Sequence, residues 1–71
     1  MNRQHVVSSN LLSVGYDESS GTLEIEFRTG GIYQYFGVPN SIYIGLISAD
    51  SKGRYFHSMI KNGGYAFRKI N

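Results

Sequence analysis

The sequence predicts an α+β fold: a three-stranded antiparallel meander followed by two helices packed on one face. The order is β-β-β-α-α, with a short last strand left open over Tyr65 to Ile70. Three observations carry this. Thr22 to Arg28 alternates strictly, with Leu23, Ile25 and Phe27 on one face and Thr22, Glu24, Glu26 and Arg28 on the other. Thr29-Gly30-Gly31 then supplies the positive φ that a tight hairpin needs. After Pro39 the apolar period lengthens to the three- and four-residue spacing of a helix.

Residues 1–9 are polar apart from Met1, Val6 and Val7, and read as a flexible arm or an extra edge strand; residues 10–71 form a single domain. Asn10 to Tyr16 reads as the first strand, with Leu12, Val14 and Tyr16 alternating with Leu11, Ser13 and Gly15. Asp17 to Gly21 is dense in turn formers. Ile32 to Phe36 is the third strand. A three-residue turn with a bulge, pairing Phe27 with Tyr33 and Ile25 with Tyr35, is favoured because it buries two large rings rather than Gln34. Val38-Pro39-Asn40-Ser41 opens the first helix, whose apolar face is Ile42, Tyr43, Leu46 and Ile47. Gly45 within it costs about 1 kcal/mol relative to Ala and marks close packing on the sheet. The second helix runs from about Lys52 to Asn62, capped by Asp50 or Ser51 and stopped by a left-handed Gly63. Phe56, Met59 and Ile60 face inward there; Arg54, His57, Ser58 and Lys61 form a polar stripe on the opposite side.

Composition narrows the function. The chain has 71 residues, no Cys and two His that stand apart, so neither disulfides nor a zinc site staple it. Its ten aromatics, six Tyr and four Phe, must serve the core, or oligomerisation must complete it. The longest apolar run, Ile42 to Ile47, is six residues, against about 20 for a membrane span. With no secretory signal and no Cys, a cytoplasmic location is expected. The net charge of +2 hides an asymmetry. Residues 1–50 hold all five acids against Arg3 and Arg28, whereas Lys52, Arg54, Lys61, Arg68 and Lys69 follow with no acid. The two segments carry −3 and +5, which points to an anionic partner for the second.

An enzyme is the least supported class. His57 lies on a helix beside basic residues with no orienting acid, and strand alternation accounts for Glu24 and Glu26 as a solvated face. No residue is assigned as catalytic, as a metal ligand or to a cofactor. The glycine clusters form neither a P-loop nor a dinucleotide fingerprint. Ser51-Lys52-Gly53 at a helix start is the best local anion seat. The ligand-binding candidates are therefore Ser51, Lys52, Gly53, Arg54, His57, Lys61 and Arg68, with Tyr33 and Tyr35 as either core or contact rings. Arg and Lys neutralise phosphates, and exposed rings stack on bases.

Gly15-Tyr16-Asp17, Leu23-x-Ile25-x-Phe27, Gly31-x-Tyr33-x-Tyr35, Val38-Pro39, Tyr43-x-x-Leu46 and Ala49-x-Ser51-x-Gly53-x-Tyr55-Phe56-x-x-x-Ile60 together resemble the KTSC domain. That module is named for the C-terminus of some lysyl-tRNA synthetases, and also looks like a stand-alone protein of bacteria and phages. The resemblance spans roughly residues 9–68 and implies RNA contact, with no catalytic signature to carry over. Three expectations follow: a non-catalytic module for RNA or a nucleotide; a phage-type homo-oligomer that sequesters a cyclic nucleotide signal of host defence; or a protein-interaction module using a sheet edge or the basic helix face.

Overall fold

The computed structural model describes residues 1–71. Its sheet has five antiparallel strands rather than three, in the sequential order β1 (Gln4–His5), β2 (Leu11–Asp17), β3 (Thr22–Phe27), β4 (Ile32–Tyr35) and β5 (Phe67–Lys69). Between β4 and β5 the chain forms α1 (Asn40–Ser48) and α2 (Lys52–Tyr55), which runs straight into a π-helical segment, Phe56–Lys61. The α+β class and the meander stand. The two added strands lie at the sheet's edges, where two or three residues suffice for pairing but are too few to show a period.

The β2–β3 hairpin carries a bulge. Leu11 pairs with Phe27 but Ser13 pairs with Glu26, so Leu12 is the extra residue. Leu11 and Val14 therefore both reach the core, and Leu12 does not share Val14's face as plain alternation suggests. The β3–β4 register also differs from the expected one. Ile25 pairs with Tyr33 and Leu23 with Tyr35, and the turn closes one residue earlier through Phe27 N–H donating to Gly31 O at 3.1 Å. Gly30 and Gly31 take φ of +96° and +91° to make this turn. The displacement along the partner strand is two residues, so Tyr33 and Tyr35 keep the face expected of them.

The helices cover that face. Leu23, Ile25 and Val14 from the sheet meet Leu46 from α1 and Phe56 and Ile60 from the following turns. Pro39 precedes α1 with φ −65° and ψ 151°. Gly45 admits a neighbouring helix rather than the sheet: a Cβ there would lie 2.6 Å from Tyr55 Cζ. Ser51 Oγ accepts from Arg54 N at 3.4 Å and caps α2. The left-handed residue after the π segment is Gly64, φ +81°, not Gly63. Gly63 is small for another reason, since a Cβ would lie 2.6 Å from Met59 O and 2.7 Å from Tyr65 Cε2. Met59, expected inside, is exposed because the π turn rotates it outward.

The other sheet face is not a solvated one. The N-terminal arm crosses it closely enough that a Cβ on Gly15 would meet Asn2 O at 2.6 Å. Arg3 forms an ion pair with Glu24, donates from Nε to Ser13 Oγ at 2.9 Å, and lies 3.7 Å from Glu26. Gln34 Nε2 donates to Glu24 at 2.8 Å. Glu24 is thereby 5% exposed and Ser13 3%, which corrects the expectation of a solvated face at Glu24, while Glu26 stays partly exposed. Burial pushes the Glu24 carboxyl up, but the hydrogen bonds from Gln34 and Arg3 outweigh it and hold the group below the usual carboxylate range. No helix is long and apolar enough to cross a membrane.

Candidate ligand-binding groove

Strand alternation sends the rings of β3, β4 and β5 to the helix side, and the short β5 leaves part of them uncovered. Phe27, Tyr33, Tyr35, Phe56 and Phe67 line a concavity of about 380 Å³ with Thr29, Gly30 and Lys61. Its floor is a chain of ring contacts. Phe27 meets Phe56 edge-on at 5.2 Å, Phe56 meets Tyr35 at 5.6 Å, and Tyr35 stacks on Phe67 at 5.6 Å and 30°. Tyr35 is buried, whereas Phe67 is 61% exposed and offers an open face. Burial, with a smaller contribution from Tyr33, pushes the Tyr35 phenol up to about 12, so this ring is neutral at physiological pH.

The π geometry brings a cation to these rings. Asn62 N–H reaches back to His57 O, the i→i−5 bond of a π turn, at 3.2 Å. In an α-helix, Phe56 and Lys61 would point about 140° apart. Five residues make up roughly one π turn, so both side chains line the same concavity. This is why Lys61, assigned by α-helical spacing to the side opposite Phe56, lies beside it.

Two further concavities continue the groove. One, of about 360 Å³, shares Phe27, Thr29, Phe56 and Lys61 with the aromatic end and adds Asn10, Gly53 and His57. The next, of about 460 Å³, is formed by Asn10, Gly53, Arg54, His57 and Ser58. Gly53 is small where Asn10 crosses it, since a Cβ would lie 2.9 Å from Asn10 Nδ2. Both ion pairs of the protein involve Arg3, so Arg54, Lys61, Arg68 and Lys69 carry unpaired charge.

The structure thus brings together Tyr33, Tyr35, Gly53, Arg54, His57 and Lys61. Ser51 and Lys52 lie outside the groove: the Ser51 hydroxyl is used by the cap, and Lys52 Nζ donates to Ala49 O at 3.1 Å. Arg68 pairs with Gln34 and so lies on the sheet face opposite the tyrosines. Lys69 pairs with Tyr33 and shares its face. Sequence reasoning missed Asn10, Thr29 and Phe27 as lining groups. They come from loop and strand ends distant along the chain, and no local pattern marks them.

Residues 7–65 match the KTSC domain. The chain belongs to the KTSC domain family. A crystal structure of a KTSC domain protein from Yersinia pestis superposes with a TM-score of 0.93 at 50% identity, covering 99% of this chain and 97% of the other. An uncharacterized protein of Stutzerimonas stutzeri is 39% identical over 71 residues and the full length of both chains. A lysine–tRNA ligase of Nostoc sp. is 41% identical over 56 residues, which is 79% of this chain but 10% of the ligase. Sequence similar to this chain therefore makes up the whole of one relative and a minor part of a much longer enzyme.

Proposed function

We propose that this KTSC domain is a non-catalytic binding module for a phosphate-bearing aromatic ligand, RNA or a nucleotide. The observation that carries the reading is the union, in one groove, of an exposed ring on an aromatic floor with unpaired cations beside it. A base stacks on Phe67 and against Tyr33, and Lys61 neutralises the attached phosphate. The occurrence of the domain in lysine–tRNA ligases supports RNA as the class of ligand. Calorimetric titration with short RNA oligonucleotides and with nucleoside monophosphates tests it. Stacking contributes about 1–3 kcal/mol per base, so Phe67→Ala weakens binding roughly 5- to 150-fold. The absence of heat with every probe, or an unchanged affinity in Phe67→Ala, overturns the reading.

A further inference from the structure

Cations recur along the groove, and another stands beside the tyrosine at its aromatic end. Lys69 is the direct cross-strand neighbour of Tyr33, and its Cε and Tyr33 Cε1 come within 3.5 and 3.4 Å of the place a Gly31 side chain would occupy. Lys61 stands between the aromatic and middle concavities, with a share in each. Arg54 stands further along, in the last of the three, and no ion pair engages any of these groups. A mononucleotide carries one phosphate group. A strand carries one per base and so matches a row of cations along a track. The groove also runs as a surface track of three shared concavities, and a stack of rings reads every base by its π-face rather than by its edges.

Resting on the binding reading above, we infer that the groove takes single-stranded nucleic acid rather than a free nucleotide. One base lies on Phe67 and Tyr33, with Lys69 beside Tyr33, and successive phosphates along the track meet Lys61 and then Arg54. Duplex is excluded because a paired and stacked base offers no free face to the rings. The stacking and phosphate chemistry is shared by RNA and DNA, so the sugar is left to experiment.

Binding of uridine monophosphate, a four-residue oligouridylate, a four-residue oligothymidylate and a short duplex is measured by calorimetry at several salt concentrations. The tetranucleotide is expected to bind at least about tenfold more tightly than the mononucleotide. Each phosphate neutralised contributes about −0.7 to the slope of log K against log salt for single strands, so two or three contacts predict a slope of roughly −1.4 to −2.1. Arg54 is exposed and its side chain enters no hydrogen bond or ion pair, only its backbone being used by Ser51 and Ser58, so Arg54→Gln is the decisive variant. It is expected to remove about 0.7 from the tetranucleotide slope and to weaken the tetranucleotide more than the monophosphate. Equal affinity for monophosphate and tetranucleotide, a slope near −0.7, or equal binding of the duplex overturns the strand assignment while the nucleotide-binding reading survives. Failure of every probe overturns both. Comparison of the two tetranucleotides identifies the preferred sugar.

Discussion

Arg3 reaches across the sheet to a carboxylate 21 positions away in sequence, and that contact sets a measurable feature of the stability curve. Replacement of Arg3 by Met keeps an unbranched apolar stem but removes the guanidinium. Glu24 then retains only the hydrogen bond from Gln34, in a site where its side chain is 6% exposed. Breaking a fully buried ion pair costs about 3–5 kcal/mol. The Arg3 side chain is 24% exposed and the arm is free to lift and admit water, so the loss belongs below that range, about 2–3 kcal/mol. A domain of this size loses roughly 4–8 °C of Tm per kcal/mol, which gives a fall of roughly 10–20 °C at pH 7. The pH profile supplies an independent sign. In the native protein the Glu24 pKa is lowered, so its contribution is present above the unfolded value and is lost as pH falls through the folded one. In Arg3→Met, burial is opposed only by the Gln34 hydrogen bond and the N-terminal charge, so the Glu24 pKa rises relative to the native protein and less stability is lost as pH falls. Thermal melts followed by circular dichroism at pH 7 and pH 5 read both effects. The double variant Arg3→Met/Glu24→Leu should recover much of the loss, because no buried charge is left unpaired. A Tm at pH 7 within about 2 °C of the native protein, or the same pH profile in both proteins, would refute the account of the arm.

Three further outcomes follow from the packing. Tyr35, with its pKa pushed up to about 12, makes stability fall as pH rises from about 10 to about 12, by on the order of 2–3 kcal/mol, and urea melts across that window alongside phenolate absorbance would detect it. Gly45→Ala gains about 1 kcal/mol of helix propensity but forces Tyr55 aside, at a cost of about 1–3 kcal/mol. A net loss that disappears in a Tyr55→Ala background is expected from a urea double-mutant cycle, and a stabilised single variant would contradict it. Gly64→Ala meets no neighbour within 4 Å, so its loss, about 1–2 kcal/mol, comes from the left-handed backbone at φ +81° alone. The same substitution made beside it at Gly63 meets Met59 O and the Tyr65 ring, and should cost more by chemical denaturation.

Much of the architecture was legible because the signals were local. Alternation over Thr22 to Arg28 placed Leu23 and Ile25 in the core, and two large tyrosines dictated the correct face for β4 even though the pairing partners were two residues off. Groove residues were harder to read. Arg54, His57 and Lys61 were chosen for their charge on one helical stripe, but helical spacing placed that stripe away from Phe56. The π turn invalidates that assumption, and with it the separation of Lys61 from the aromatic rings. Ser51 and Lys52 matched the chemistry of an anion seat, yet their polar atoms were taken up by the cap and by the Ala49 carbonyl. Arg68 and Lys69, adjacent in sequence, point to opposite sheet faces once β5 forms.

The sequence by itself determined the α+β class, the meander, the inward face of β3 and β4, the helix starts and the KTSC resemblance. Period-two alternation, turn glycines and caps act over a few residues, and short-range sterics and hydrogen bonding suffice to express them. Only the tertiary structure decided that Glu24 is buried and paired, that the edge strands β1 and β5 exist, and that Phe67, Lys61 and Asn10 share one groove. Those outcomes depend on groups far apart along the chain that meet only when the arm crosses the sheet and the helical turns close over its other face. No local period in the sequence records such a meeting.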